Sequence, residues 1–433
     1  MIGVIADDIT GANDIGSMFA KNHYVSDVYD HEHVALAAQR TSRSAPDVLI
    51  LDTDSRFDDK NTAYNKVFRA TMKAVEAGAD RFINKTCSVF RGNIGAEFDA
   101  MLDALNESFA VVVLGFPKNG RITREGIHYV NGVKLEQSEF RDDPVHPMMC
   151  SNLQEILQSQ TERTVGAIHH EVVRQGPSHL RERLERAKQS WHYVIVDVTC
   201  QEDLRVVAEA VKDVRVLCGS SAIAEELPAV LGTRPESFYD LPPENECGLL
   251  CAAGSLMPQT ARQIEYMREK RVFVYELDTA ALVKDNDCRK TIETCVKVLS
   301  EQMRNGDDVV VHTSNLPHQV NRTREAGAKQ GFSKKQVSQR ISRQLAEVVD
   351  RLVKATGQNR LVIAGGDTSA AVCRQLGVYG MRVYREIEPG LPSCLTFSIP
   401  ERLLVLKSGS FGKPDFFEKA FAHMKTKEKG GVS

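Results

Sequence analysis

The chain has 433 residues and a formal net charge of −3, with 55 basic and 58 acidic residues spread along it. A chain of this length usually forms two domains, each with its own core. The balanced charge excludes an electrostatic footprint for nucleic acid or an anionic membrane, and no apolar run approaches the length of a membrane span. Scattered cysteines without a C-x-x-C pair, and no recognisable signal peptide, predict free thiols in the cytoplasm.

Apolar segments in the first half predict a largely parallel α/β sheet. Strands are expected at 2–5, 48–51, 82–83, 111–114 and 194–198, with helical patterns between them. In such a sheet the carboxyl ends of the strands form the edge where ligands bind. Several of these strands are followed directly by polar residues, so the first half predicts a ligand site at that edge.

Two adjacent carboxylates, Asp7 and Asp8, follow the first strand and precede a helix that runs to Phe19. One side chain here is needed to cap the helix, a role that suits Asp7 or Thr10. Capping does not account for both carboxylates, so at least one is expected to contact a polar ligand.

Cations follow the next two strands. Arg56 comes after the second strand, and its planar fork matches a carboxylate, although a surface position is the alternative. After the third strand, Lys85, Ser88 and Arg91 lead into an amphipathic helix from Ile94. Cations, hydroxyl groups and helix N–H groups together predict an anion site, against the alternative of a solvated charged face.

The segments beyond this point separate the two halves. Residues 129–147 form a long irregular segment, expected to be a lid, an interface arm or a surface excursion. Three prolines and no periodicity mark a linker, which divides the chain into a first domain at 1–231, a linker at 232–247 and a second domain at 248–433.

The second half contains three small-residue turns, each placed between an apolar strand and a helix. They are Gly254–Ser255, the Gly365–Ser369 turn and the Ser408–Gly412 turn. Glycine lets backbone approach a ligand, and the helix N-terminus that follows attracts phosphate. Asp367, Thr368 and Ser369 are N-cap candidates. The last two turns are expected side by side at one sheet edge, and because no Walker A pattern occurs, they must supply the phosphate site.

Five motifs together resemble the four-carbon acid-sugar kinase family, in the order expected and over nearly the whole chain. They are ADDITGAND at 6–14, KTCSVFRGNIGAE at 85–97, VNGVKLEQSEFRDDPVHP at 130–147, AGGDTS at 364–369 and LKSGSFG at 406–412.

The resemblance implies an ATP-dependent kinase with two α/β domains, each built on a largely parallel sheet flanked by helices, and an active site in the cleft between them. The first domain would hold the sugar acid and the second would hold ATP with Mg²⁺. Asp8 is the first choice for the catalytic carboxylate and Asp367 the alternative; the metal ligands and the oligomeric state are left open. The expected substrate contacts are Asp8, Arg56, Lys85, Thr86, Cys87, Ser88 and Arg91, and the expected nucleotide contacts are Ser255, Gly365, Gly366, Asp367, Thr368, Gly409, Ser410, Phe411 and Gly412.

The chain departs from the family pattern at two places, of which the first lies in the expected substrate site and bears on which acid is bound. The family more often shows K-x-D-S-T-x-R-G-N where this chain has Cys87 and Val89, and Asn where it has Ser410. D-threonate, converted to D-threonate 4-phosphate, is the expected reaction, with D-erythronate or 3-oxo-tetronate as alternatives. A sugar-acid enzyme without kinase activity, or a ligand sensor, would use the same kind of fold without turning over ATP.

Overall fold

The computed structural model describes residues 1–34, 45–143, 145–235 and 239–426. The chain divides into two compact units, Met1–Ser237 and Phe238–Ser433, and the division falls within the stretch predicted as a linker. Among the described residues, none of the helices is long and apolar enough to cross a membrane.

The described part of the first unit contains an eight-stranded parallel sheet in the order β2-β3-β1-β4-β11-β5-β10-β9, and a small antiparallel sheet of β6, β7 and β8. The strands are β1 (Ile2–Ala6), β2 (Ser26–Asp30), β3 (Val48–Asp52), β4 (Arg81–Lys85), β5 (Ala110–Val113), β6 (Arg121–Arg124), β7 (Ile127–Val130), β8 (Val133–Lys134), β9 (Val165–Ile168), β10 (Tyr193–Val196) and β11 (Val216–Gly219).

Helices flank the parallel sheet, and its strands are therefore nearly continuous apolar runs. All residues of β1, β3 and β5, for example, are buried. The helices of this unit are α1 (Ile9–Ala20), α2 (Lys60–Glu76), α3 (Ile94–Leu105), α4 (Leu153–Gln158), α5 (His170–Val173), α6 (Pro177–Ala187), α7 (Gln201–Val211) and α8 (Ile223–Leu231), with 3-10 turns at Pro117–Asn119 and Leu135–Gln137.

The central strands of the first unit end at one level. Ala6 at the end of β1 is in register with Asp52 of β3 on one side and with Lys85 of β4 on the other. Lys85 is in turn in register with Gly219 of β11. The residues that follow these strands therefore meet at one edge of the sheet, as the sequence predicts.

The second unit has one mixed sheet in the order β13-β14-β12-β15-β18-β17-β16. The first five strands in this order are parallel to one another, and β17 runs antiparallel to both of its neighbours, β18 and β16. Its strands are β12 (Leu250–Ala253), β13 (Phe273–Leu277), β14 (Val309–Thr313), β15 (Arg360–Ala364), β16 (Gly380–Glu388), β17 (Leu391–Thr396) and β18 (Leu403–Lys407). Its helices are α9 (Pro258–Glu269), α10 (Thr279–Leu282), α11 (Asp285–Arg304), α12 (Pro317–Lys329), α13 (Lys334–Thr356), α14 (Gly366–Gln375) and α15 (Phe416–Met424).

The predicted class, α/β with two largely parallel sheets flanked by helices, is confirmed. The expectation of an irregular segment at 129–147 is wrong at its start, because Tyr129 and Val130 pair with β6 and with β8. The antiparallel strands β16 and β17 were not predicted, since their polar residues and Pro392 break the apolar pattern.

Candidate functional site

Asp8 caps α1. Its Oδ1 accepts a hydrogen bond from the Gly11 N–H at 2.6 Å and from Thr10 Oγ1 at 3.2 Å. The prediction that Asp7 or Thr10 is the cap is wrong, because α1 begins at Ile9 and the position just before it is Asp8. The capping carboxylate and the one proposed for catalysis are thus the same group.

Arg56 binds both carboxylates that follow β1. Its Nε and Nη2 donate to the two oxygens of Asp7 at 2.8 and 2.7 Å, and its Nη1 donates to Asp8 Oδ2. The side chain is buried, so the surface alternative for Arg56 is excluded. Its fork does match a carboxylate, as predicted from the sequence, but that carboxylate in this structure is Asp7.

Lys85 and Asp8 approach each other across Gly11. A Cβ atom on Gly11 would lie 2.9 Å from Lys85 Nζ and 2.8 Å from Asp8 Oδ1. Lys85 Nζ donates to the Thr86 carbonyl at 3.0 Å and lies 3.9 Å from Asp14 Oδ2. A side chain at position 11 would displace one of these charged groups, which explains the need for glycine there.

The charges around Asp8 decide its ionisation. Burial raises the pKa of Asp8, but Arg56, Lys85, the Gly11 N–H and Arg91 outweigh that effect and hold it below its usual value. Asp8 is therefore ionised at neutral pH, and it suits the orientation of a hydroxyl or cation better than the removal of a proton early in a reaction.

Cys87 and Arg91 are in contact at the same edge. Arg91 Nε donates to Cys87 Sγ at 3.4 Å, and its Nη1 pairs with Asp143 Oδ2 at 2.6 Å. Its guanidinium lies 5.1 Å from the centre of the Phe140 ring, and the Arg121 guanidinium lies 6.0 Å from the same ring. Burial raises the pKa of Cys87, but Arg91 and Arg56 bring it below its usual value. Two of the predicted cations, Arg91 and Arg56, thus act on this thiol.

Thr86 and Ser88 complete the predicted substrate contacts. Thr86 is fully buried, and its Oγ1 has no hydrogen-bond partner among the residues that the structure describes. An unsatisfied buried hydroxyl is costly, which makes Thr86 a candidate ligand contact. The Ser88 carbonyl accepts a hydrogen bond from His128 Nε2 at 3.0 Å. Burial, with Arg121 nearby, lowers the pKa of His128 to about 3, so this histidine is neutral and structural.

Glu97 is a site residue that sequence reasoning missed. Its Oε1 accepts a hydrogen bond from Ser55 Oγ at 2.7 Å, and burial followed by repulsion from Asp7 raises the pKa of Glu97 to about 8. It is therefore neutral at pH 7, beside the two carboxylates that Arg56 holds. A carboxylate on the apolar face of α3, between Ile94 and Phe98, was the signal that could have revealed it.

One group of side chains in the described part of the first unit could hold a metal ion. Ligand atoms of Glu125, His170 and Asp197 lie within 4.8 Å of one another. The Asp197 carboxylate already accepts the N–H groups of Glu125 at 2.6 Å, Gly126 at 3.0 Å and His170 at 3.1 Å. These bonds tie the β6–β7 turn to the residues after β9, and they account for the cluster without a metal.

In the second unit, three small-residue turns meet at Ser255. They follow β12, β15 and β18, which are adjacent and parallel. A Cβ atom on Gly365 would lie 3.2 Å from the Ser255 nitrogen, and one on Gly409 would lie 2.2 Å from Ser255 Oγ. A Cβ atom on Gly254 would lie 2.1 Å from Thr368 Oγ1. The predicted neighbouring turns are confirmed, and the turn at Ser255 lies against both.

The helix after β15 begins earlier than predicted. Its N-cap is Gly365, with φ of 118°, and no side chain caps it, so the expectation that Asp367, Thr368 or Ser369 is the N-cap is wrong. All three lie in the first turn, with Asp367 exposed and the other two buried. Ser369 Oγ has no hydrogen-bond partner within the described residues. A helix N-terminus without a side-chain cap suits a phosphate group.

Lys407 underlies the turn after β18 and was not predicted as a site residue. It is fully buried, and its Nζ donates to Thr260 Oγ1 at 3.0 Å and to the carbonyls of Ser408 at 2.8 Å and Gly409 at 3.1 Å. Burial lowers the pKa of Lys407 to about 7. In the sequence it is only the last residue of an apolar strand, which gave no signal of this role.

The rest of this turn is fixed by α9. Gln263 Nε2 donates to the Phe411 carbonyl at 3.1 Å, and Thr260 Oγ1 donates to the Gly409 carbonyl at 2.9 Å. Gly412 has φ of 87°, a conformation that favours glycine. Ser410, at the tip, is partly exposed. The turn is thus anchored to α9 through two of its carbonyl groups.

Comparison with known proteins assigns the two units. A family model described as a sugar-binding N-terminal domain matches residues 2–227, and one described as a nucleotide-binding C-terminal domain matches residues 250–417. A cation-lined edge in a sugar-binding domain, followed by glycine turns in a nucleotide-binding domain, defines a kinase that acts on an acidic sugar.

Relatives that match nearly the whole chain identify the family. The chain is 31% identical to a 3-oxo-tetronate kinase of Haemophilus influenzae, over 97% of this chain and 99% of the relative. It is also 31% identical to a D-threonate kinase of Salmonella typhimurium, over 94% and 95%. A solved structure of a Haemophilus influenzae protein, 30% identical, superposes with a TM-score of 0.70 over 98% of this chain and 100% of that one. The chain belongs to the four-carbon acid-sugar kinase family.

Proposed function

We propose that this kinase transfers the terminal phosphoryl group of ATP to a hydroxyl of D-threonate, giving D-threonate 4-phosphate and ADP. The observation that carries the proposal is the cluster of Arg56, Lys85 and Arg91 at the edge of the sugar-binding unit, in which Arg56 and Lys85 are buried and Arg91 is partly exposed. These cations lie around the carboxylate of Asp8, so this edge offers both signs of charge to a ligand that has one carboxylate and several hydroxyls.

In the first unit the contacts divide into ligand binding and positioning. Lys85, Arg91 and the hydroxyls of Thr86 and Ser88 would bind the acid. Arg56 would act mainly by holding Asp7 and Asp8, because its donors are already used by them. Asp8 would orient the acceptor hydroxyl and receive its proton late, as the new O–P bond forms and the bond to the leaving ADP oxygen breaks.

In the second unit the glycine turns would bind the phosphates. The turn at Gly365 and the turn at 409–412 both lie against Ser255, and the Gly365 N–H already donates to the Lys407 carbonyl at 2.8 Å. The N–H groups of Gly366 and Thr368, in the first turn of α14, would therefore be the ones that bind phosphate on that side. Mg²⁺ usually takes one or two carboxylates together with phosphate oxygens. Asp367, an exposed carboxylate in this first turn, fits that role; Mg²⁺ would neutralise charge on the transferred group.

A second substrate, 3-oxo-tetronate, is favoured by the names of several relatives, which are 3-oxo-tetronate kinases at 27–31% identity.

The test is a coupled assay for ADP with D-threonate, D-erythronate and 3-oxo-tetronate at matched concentrations. The proposal expects the highest kcat/KM for D-threonate. A tenfold or greater preference for 3-oxo-tetronate would make that acid the substrate in place of D-threonate. If ADP forms with none of the three four-carbon acids, the proposed substrate class is refuted.

A further inference from the structure

Lys407 is a buried cation without a carboxylate partner. Its side chain is fully buried at the end of β18, and no carboxylate is among the described groups that act on its charge. Its Nζ instead donates to Thr260 Oγ1 and to the carbonyls of Ser408 and Gly409. Burying an ammonium group without an anion is costly, so its retention needs an explanation.

The hydrogen bonds of Lys407 fix the direction of two peptide groups. The 408–409 and 409–410 peptide bonds are trans, so each N–H points away from the carbonyl of the same peptide unit. Because Lys407 Nζ binds the carbonyls of Ser408 and Gly409, the N–H groups of Gly409 and Ser410 point to the opposite side. Both N–H groups are therefore directed away from Lys407, toward the face of the turn that would meet phosphate under the proposed function.

We propose that Lys407 is the positioning residue of the phosphate-binding turn, and that it takes up a proton when a nucleotide binds. This inference rests on the proposed function, since it requires that the turn at 409–412 binds phosphate. The lysine does not touch the nucleotide in this proposal. It aims the two N–H groups, and its positive charge gains the anionic partner that the protein does not provide.

The proton uptake follows from the surroundings of Lys407. Burial lowers its pKa to about 7 in the free protein, and the titratable group of the described residues that acts on it is the Cys251 thiol of β12. Burial raises the pKa of Cys251, so that thiol stays neutral. A phosphate group nearby favours the ammonium form and raises the pKa of Lys407. At pH 8 about nine in ten Lys407 side chains are neutral before binding, and they become protonated on binding.

The experiment is calorimetric titration of the full chain with ADP at pH 8, in two buffers that differ in ionisation enthalpy. The phosphates of ADP are already deprotonated at this pH, so any proton taken up belongs to the protein. The slope of binding enthalpy against buffer ionisation enthalpy gives the number of protons. We expect uptake of roughly 0.5–1 proton per ADP for the wild-type protein. Lys407→Met should abolish the uptake and weaken ADP binding by at least tenfold.

Lys354→Met is the matched control, because Lys354 is an exposed lysine of the same unit whose Nζ pairs with Asp350 at 2.7 Å. Its proton uptake should equal that of the wild type. ADP binding by the wild type without proton uptake would overturn the role of Lys407 and leave the kinase proposal standing. Absence of ADP binding by the wild type would overturn both. Should Lys407→Met fail to fold, Lys407→Arg takes its place, because its guanidinium stays charged at pH 8 and it should bind ADP without proton uptake. Uptake equal to that of the wild type in this variant would overturn the role of Lys407.

Discussion

The side chain of Asp8 caps α1, pairs with Arg56 and is the proposed catalytic carboxylate. Asp8→Asn keeps an acceptor for the Gly11 N–H but removes the negative charge that Arg56 and Lys85 surround. If Asp8 orients the acceptor hydroxyl and receives its proton, kcat should fall by roughly 10² to 10⁴. Steady-state kinetics with D-threonate measures this, and the Kd for ADP should remain near the wild-type value.

The rival position for the catalytic carboxylate is Asp367. If Asp8→Asn keeps kcat within a few-fold while Asp367→Asn abolishes activity, the catalytic carboxylate belongs to the nucleotide-binding unit. Asp7→Asn serves as a second comparison, because Asp7 shares the Arg56 contact but does not cap α1. A smaller loss of kcat in Asp7→Asn than in Asp8→Asn would support a direct role for Asp8.

Arg56→Lys tests whether the planar guanidinium group of Arg56 contributes more than its positive charge. Lysine keeps the positive charge but cannot donate simultaneously to both oxygens of Asp7 and to Asp8. Loss of a hydrogen bond to these carboxylates should lower the free energy of unfolding by about 1–3 kcal/mol, the range for a hydrogen bond to a charged group, and it should lower the midpoint in urea unfolding. Because Asp7 and Asp8 would also be held less firmly, we expect a higher KM for the acid. An unchanged KM for the acid with reduced stability would mean that Arg56 only holds the protein together.

Glu97 gives a pH dependence whose sign follows from its pKa of about 8. The folded protein keeps this proton while the unfolded chain loses it near pH 4.5, so Glu97 lowers the free energy of unfolding as pH rises from about 5 to 8. Glu97→Gln keeps the acceptor for Ser55 Oγ and removes this titration. Urea unfolding at pH 5 and 8 should show a shallower decline for the variant. Parallel declines would mean that Glu97 ionises normally.

At the scale of elements, the turn after β18 should control nucleotide binding. Gly409→Val would bring a side chain against Ser255 Oγ and Met257, and it would separate the neighbouring turns. We expect ADP binding to weaken by at least tenfold, with acid binding near wild type. Calorimetry with each ligand measures both effects.

Gly327→Ala provides the control for that variant. Its added Cβ atom would lie 2.3 Å from Val337 Cγ2, so it introduces a comparable collision in α12, away from the turn. It should lower stability but leave the Kd for ADP unchanged. If Gly409→Val binds ADP as the wild type does, the turn is not part of the nucleotide site.

The elements that the sequence predicts well are those that depend only on residues within the same short segment. The runs in β1, β3 and β18 are apolar because both faces of a parallel strand are buried, and the glycine turns are marked by residue type. The choice between Asp7 and Asp8 as helix cap could not be predicted, because adjacent acids are equivalent until the helix start is fixed. The role of Lys407 depends on Thr260, 147 residues away, and no local pattern records that contact.

At the scale of the whole molecule, each ligand should protect its own unit. In hydrogen–deuterium exchange, ADP alone should slow exchange in 254–257, 365–369 and 408–412, and D-threonate alone should slow it in 7–11 and 85–91. A ligand at 100 times its Kd stabilises a protein by about 2.7 kcal/mol, enough to detect such protection. Protection of 85–91 by ADP, with none in the glycine turns, would contradict the assignment of the two sites.

The burial of Arg56 and Lys85, and of most of the Arg91 side chain, also bears on how substrate reaches the protein at different ionic strengths. Charges in water act over only about 8 Å at physiological salt, and the chain as a whole is slightly negative. Long-range electrostatic attraction therefore does not speed the approach of an anionic acid. The three cations attract the acid only after it reaches the edge of the sheet. Pairs shielded from water are screened little by salt, so the KM for the acid should stay nearly constant between dilute buffer and concentrated salt.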